Sequence, residues 1–231
     1  MTTPSSTTTA PARFLLLGDS HAGPIGRAAK AARIPFQGGP IGAGREFTDD
    51  FFAPREHDVV FHKAEADAHY RSFLADLEVD GLGSLAVPLV STFGLSSHFV
   101  ATRENWHLHR DRHGGFAPGF LTGPLFDAIV RATVRDALAF YRHALRLGLR
   151  VLAVLPPQRV PEQSDPEVFT AAQESVRGAL DALGVELVDL RARTTGPDGF
   201  QRPEFCEADD AIHGNLAFGR LVLADLLARG L

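Results

Sequence analysis

Two short runs of this chain hold residue types that could carry covalent chemistry. The first is Gly18-Asp19-Ser20-His21, directly after the apolar run Arg13–Leu17. A serine at the carboxyl end of a strand is exposed, and its hydroxyl could attack a carbonyl. Its own N–H, near the start of a following helix, could donate to the oxyanion that develops. The order differs from a GxSxG elbow, since position 22 is Ala. A serine hydroxyl is a weak nucleophile, so a base and a group that orients it are expected elsewhere. The second run, Asp209-Asp210-Ala211-Ile212-His213-Gly214-Asn215, supplies both. With Asp210 and His213 three apart, one short turn can hold the carboxylate beside one ring nitrogen while the other points outward. Asp209 is the alternative carboxylate, at a less convenient spacing. Each run alone has a plainer reading, since Gly, Asp and Ser form turns and Asp-x-x-His caps helix starts. Taken together they support each other as a serine triad, or a relic of one, built on Ser20, His213 and Asp210 or Asp209.

A third run, residues 98–115, holds four of the ten histidines: His98, His107, His109 and His113. His107-x-His109 on a strand, or His109-x-x-x-His113 on a helix, is a ligand-like spacing for a divalent ion, with Asp111 at hand. Arg103, Arg110 and Arg112 would repel that ion, and neither HExxH nor a cysteine partner is present, so no metal site is assigned. The segment from Ser97 to Gly123 is long for a bare connection and reads as a lid over the site. Its arginines with Asn105, Trp106, His107 and His109 would line a pocket for an anionic or polar group. The plainer reading is a solvated surface segment with a short helix. Asp19, His21 and Gly94 are placed in the same substrate-binding set.

These residues need a frame. Arg13–Leu17, Val59–Phe61, Leu85–Val90, Arg150–Leu155 and Val185–Val188 are short apolar runs of the kind that form buried strands. Pro88 weakens the third, because proline cannot donate to a ladder. Apolar residues from Phe126 to Leu145 recur at three- and four-residue intervals and predict one amphipathic helix ended by Gly148. Asp165 as N-cap and Pro166 as first residue open a second, which Gly184 closes. A third is expected from about Leu216 to Ala228. Strands alternating with helices across short turns imply right-handed crossovers and a doubly wound α/β sheet covered on both faces. Ligands in such sheets bind beyond the carboxyl ends of the strands, where the strand order reverses.

The 231 residues are 45% hydrophobic and 22% charged, the make-up of an ordinary globular protein. One cysteine, Cys206, excludes an internal disulfide and any CxxC site. A net charge of −5 without a basic stretch argues against nucleic acid as partner. No apolar run is long enough to span a membrane. Residues 1–12 lack the basic and apolar regions of a secretory signal, so a disordered tail, a domain over 13–231 and a cytoplasmic location are expected. The oligomeric state is not legible.

GDS after the first strand and Asp210-x-x-His213-x-Asn215 before the last helix resemble the SGNH (GDSL-type) hydrolases. The run LAVLPPQR (152–159) is similar to that family's late strand ending in prolines. The resemblance spans about residues 13–231. It implies a flavodoxin-like three-layer sandwich with about five parallel strands, the Ser20–His213–Asp210 triad, a small-molecule acyl substrate and no cofactor. It also implies three oxyanion donors: the Ser20 N–H, a glycine N–H after the second strand and an asparagine side chain. Gly44 suits the second because it precedes a probable helix (REFTDDFF), with Gly42 next. The third departs from the family, whose Gly-x-Asn-Asp reads Gly94-Leu95-Ser96-Ser97 here. Ser96 replaces that donor, or Asn105 reaches in from the next loop, or the donor is absent. The reading favoured is an esterase or acyl hydrolase. The alternatives are an acyltransferase on the same triad, or a non-catalytic or metal-binding relative using loop 98–113.

Overall fold

The structure is a computed structural model and describes residues 11–231. The tail expected at the start of the chain lies, up to residue 10, outside the described residues. Five strands form one parallel sheet: β1 (Leu15–Gly18), β2 (Gln37–Pro40), β5 (Leu89–Ser91), β6 (Val151–Val154) and β7 (Glu186–Val188). Their spatial order is β2-β1-β5-β6-β7. The chain steps from β1 outward to β2, then returns to the other side of β1 as β5. The strand order therefore reverses between β1 and β5, the position where sheets of this type open a crevice.

Alternate residues of β1 enter two separate cores. Leu15 and Leu17 pack into one with α2 (Ala64–Asp76), α3 (Pro124–Thr133), α4 (Arg135–Arg146) and α5 (Pro166–Leu183). Phe14 and Leu16 pack into the other with α1 (Ala22–Ala31) and α7 (Leu216–Ala228). Both faces of β1 are thus covered, which is why it reads as an unbroken apolar run. A short α6 (Arg191–Thr194) follows β7. The doubly wound three-layer fold expected from the sequence is the fold observed.

Four expectations change. Val59–Phe61 is a strand, β4, but it pairs antiparallel with β3 (Phe52–Pro54) and lies outside the central sheet. A tight turn decides this, with Arg55 N–H donating to Asp58 O at 2.8 Å. The strand expected over Leu85–Val90 begins only after Pro88, whose carbonyl accepts from Leu15 N–H. The helix expected over Phe126–Leu145 is two helices that meet at Val134, where φ is −104° and ψ 17°. Thr133 just before it returns its hydroxyl to Ile129 O, a bond that bends helices. Finally, part of the glycine-rich stretch 38–44 is β2 itself, hidden by Gly38 at φ 98°; a Cβ there would lie 1.9 Å from Leu16 O.

Two helix starts agree with the sequence. Asp165 Oδ1 accepts from Glu167 and Val168 N–H, and Asn215 Oδ1 accepts from Ala217 and Phe218 N–H. The second cap sets where the segment carrying His213 ends and α7 begins.

Candidate active site

The end of β1 is fastened to the end of β5. A Cβ on Gly18 would sit 2.1 Å from Thr92 Oγ1, so only glycine lets the two strand ends approach this closely. Thr92 Oγ1 accepts from Asp19 N–H at 3.2 Å and donates to Asp19 Oδ1 at 2.9 Å. The same carboxylate oxygen accepts from His21 N–H at 3.0 Å. Asp19 is fully buried, and that burial raises its pKa to about 6 against the hydrogen bonds from His21 and Thr92. This clamp presents Ser20, half-buried, at the point where the strand order reverses.

Ser20 Oγ lies 2.7 Å from His213 Nε2, and His213 Nδ1 lies 2.6 Å from Asp210 Oδ2. The other carboxylate oxygen, Asp210 Oδ1, accepts from the N–H groups of Ile212 and His213, both at 2.7 Å. One aspartate therefore shapes an Asx turn and holds the ring; the helix-capping reading of Asp-x-x-His does not hold, since the N-cap of α7 is Asn215. Burial opposes ionisation of Asp210, but the hydrogen bonds from the His213 ring and the two amides outweigh it and hold its pKa at about 2. An ionised Asp210 fixes the proton on Nδ1 and leaves Nε2 as acceptor for the serine hydroxyl. Asp209 makes no such contact; it sits at φ 54° just before the turn.

Two further histidines surround this line. The His21 ring is 4.9 Å from that of His213, is buried, and has no protein partner on either nitrogen among the described residues. Burial and then the neighbouring His213 lower its pKa to about 3. His98 is lowered to about 4 by burial, then by His21, His213 and Arg45. Both rings are neutral near pH 7, so neither competes with Asp210 for the positive charge that His213 would gain.

The glycine loop after β2 leads back to the same place. A Cβ on Gly44 would come within 3.4 Å of Asp19 Oδ2 and 3.3 Å of Phe99, so Gly44 stands beside the residue preceding Ser20. Gly42 instead faces Glu46 and Phe47, with Glu46 Oε2 2.2 Å from where its Cβ would be. The helix expected from Gly44 is one 3-10 turn, Gly44–Phe47. Ser96 and Ser97 are buried with unpartnered hydroxyls, so Ser96 is held in the loop after β5 rather than in solvent.

Several residues expected in the site are elsewhere. Gly94 is a packing residue at φ 66°, and a Cβ there would meet Ala137 Cβ at 2.3 Å. Trp106 is buried against Phe126 and donates from Nε1 to Val100 O, so it belongs to the core and lines no open pocket. Its inward turn leaves Asn105, in the 3-10 turn just before it, exposed. His107 and His109 are exposed on a second 3-10 turn, the first against Glu104 O and the second stacked on Phe120. Residues 102–110 are tied to the start of α5 by the Thr102–Ser164 bridge, by Arg103 on Ser164 O and by the Arg110–Asp165 ion pair. Among the described residues no three His, Cys, Asp or Glu side chains gather as a metal site, so loop 98–113 offers no ligand set.

Three residues at the site carry no distinctive signal of their own in the sequence. Thr92 follows an apolar strand like any turn residue. Arg159 closes the LAVLPPQR run and braces the His213 turn. His98 was one histidine among four, and only its place directly after Ser96-Ser97 could have singled it out.

No family model matches the chain, and no curated protein matches it in sequence. Solved structures do. A Streptococcus pneumoniae protein, provisionally described as a platelet activating factor, is similar at TM-score 0.53 and 12% identity, over 97% of this chain and 86% of that one. A GDSL-like lipase of Bacteroides thetaiotaomicron is similar at 0.49 and 12%, over 94% and 86%. A lipase/acylhydrolase of Enterococcus faecalis is similar at 0.49 and 14%, over 94% of each chain. At 12% identity, the likeness to the Streptococcus pneumoniae protein at TM-score 0.53 establishes a shared fold.

Proposed function

We propose that this protein is an SGNH-type serine hydrolase, a single domain over 13–231 that cleaves an ester or amide acyl group from a small metabolite or sugar. The observation that carries the reading is the continuous Asp210–His213–Ser20 hydrogen-bond line at the strand-order reversal. Ser20 Oγ attacks the carbonyl carbon as its proton passes to His213 Nε2. The carbonyl π pair moves onto oxygen, and the N–H groups of Ser20 and Gly44 with the Ser96 hydroxyl receive that oxyanion. Collapse expels the alcohol or amine, which takes the proton from His213, and an acyl-enzyme remains on Ser20. Water then attacks with His213 again as base, and the acid leaves. A hydroxyl in place of the family's amide donor weakens oxyanion stabilisation, and a lost donor costs about 100- to 1000-fold in rate. Slow turnover on simple esters is therefore expected.

The test is intact-protein mass after a fluorophosphonate probe, with wild type beside Ser20→Ala. One adduct on wild type and none on the variant supports an activated serine. No adduct on either would sink the hydrolase reading.

A further inference from the structure

A cavity of about 430 Å³ opens where the chain leaving β6 meets the segment around Gln201 and the start of α5. Its lining includes Arg103, Gln158, Arg159, Ser164, Gln201 and Ala211. It shares a wall with the catalytic line proposed above. Ala211 belongs to the turn that carries Asp210 and His213. Ser164 Oγ donates to His98 O at 3.4 Å, joining the opposite wall to the loop beside His213.

Two guanidinium groups bring unused donors. Arg159 engages protein acceptors through Nη1, and Arg103 engages Ser164 O through Nε. Their remaining N–H groups have no protein acceptor among the described residues. Two buried amides add to this. Gln201 N–H donates to Gln158 O at 3.0 Å and Gln158 N–H to Gln201 Oε1 at 3.2 Å, so both the backbone and the side chain of Gln201 hold the Gln158 backbone. Gln158 Oε1 and Gln201 Nε2 have no protein partner among the described residues. A buried acceptor or donor left unpaired is costly unless another molecule completes it.

The neighbouring depressions differ. In the one beyond Phe200, Arg191 is neutralised by Asp189 at 2.6 Å, and in the one beside His107, Arg110 is neutralised by Asp165. Here Arg159 has Asp210 Oδ1 only at 4.0 Å, Arg103 pairs with no carboxylate among the described residues, and the one carboxylate in the lining is the exposed Glu162. The volume lies within the range of small-molecule sites.

We infer that this cavity is the subsite for a substrate's oxyanion group, a carboxylate or a phosphate, with an adjoining hydroxyl or amide held by the two glutamines. Its place in turnover rests on the hydrolase reading; its capacity to bind does not. An arginine that reaches such a group makes a charge-assisted, geometrically selective bond, and glutamine in its place cannot.

The experiment is calorimetric titration of Ser20→Ala, which needs no turnover, with monomethyl succinate, glycerol 3-phosphate and glycerol. We expect one of the two anions to bind at least tenfold more tightly than glycerol, and which one distinguishes carboxylate from phosphate. Adding Arg103→Gln should weaken that anion about tenfold, with Arg103→Lys in between; all variants are checked by thermal melting. Binding of neither anion, or anion binding unchanged in both Arg103 variants, would overturn the subsite. A protein that binds the anion but takes no fluorophosphonate would retain the subsite and lose the hydrolase reading.

Discussion

Arg159 holds the backbone of His213: its Nη1 donates to His213 O at 2.8 Å and to Glu207 O at 3.0 Å, with Asp210 Oδ1 4.0 Å away. One guanidinium group thus spans both ends of the turn whose side chains face Ser20. Arg159 is a positioning residue, since it acts on the ring through the peptide that carries it. Small displacements of a catalytic group cost up to about 100-fold in rate. Arg159→Ala should therefore lower kcat on a small neutral ester by about 10- to 100-fold, with KM changed much less. Arg159→Lys should recover only part, because its ammonium sits on a shorter stem than the Nη1 that donates to both carbonyls. An equal loss in kcat and gain in KM would contradict this role.

Removing the line itself should cost far more. Ser20→Ala and His213→Ala are each expected to reduce kcat/KM at least about 10⁴-fold, and the double variant little further, because the residues act as a unit. Asp210→Asn should fall by a similar order, since an amide cannot fix the proton on Nδ1. Steady-state kinetics on one aryl ester across the four variants checks this. Additive losses in the double variant would mean that the groups do not work together.

The buried titratable groups beside Ser20 make stability depend on pH. Asp19, at about 6 in the fold against 3.8 unperturbed, keeps a proton there that the unfolded chain loses, so it lowers stability as pH rises from about 4 to 6. His21 and His98, at about 3 and 4 against 6.5, stay neutral while the unfolded chain protonates them, so each raises stability as pH climbs through the same window. The histidines outnumber the aspartate, which leaves a net uptake of about one proton on unfolding. The unfolding free energy should rise by ~1.4 kcal/mol per pH unit between about pH 4 and 6. Asp19→Asn should steepen this rise and His21→Phe flatten it. Urea melts at half-unit pH steps decide the matter, and a wild-type slope of the opposite sign would refute it.

Two packing predictions concern the loop after β5. Gly94→Ala must hold a Cβ at φ 66° and 2.3 Å from Ala137 Cβ, and should cost about 2–4 kcal/mol. Thr92→Val keeps the shape but leaves Asp19 N–H without its acceptor and the Asp19 carboxylate without one donor. That should cost about 1–3 kcal/mol and reduce turnover through the neighbouring Ser20. Denaturant melts with esterase rates separate the two, since Gly94→Ala should act mainly on stability.

What could be read in advance was local. Asp165-Pro166 with Gly184 bounded α5, because a cap, a fixed proline φ and a left-handed stop act on adjacent residues. The apolar run ending at Gly18 marked β1, because burial on both faces leaves a continuous pattern. Asp210 and His213 were legible as a pair because three residues suffice to bring carboxylate and ring together. Where local patterns were silent or shared, the reading failed. Val59–Phe61 looks like a central strand but pairs in a hairpin, and Gln37–Pro40 looks like a loop but is a strand. Trp106 and the histidines after it suggested a lid, and packing against Phe126 and the start of α5 drew the segment aside.

By itself, then, the sequence singled out Ser20, His213 and Asp210 as candidates and the alternation of elements that bears them. The tertiary structure decided what surrounds them: Thr92 on Asp19, 73 residues away, Arg159 on His213, 54 away, and His213 on Ser20, 193 away. Contacts of that separation depend on how the strands are ordered and how the loops pack. No periodicity or spacing along the chain encodes them, because the energy that selects them comes from burial and hydrogen-bond satisfaction in the assembled fold.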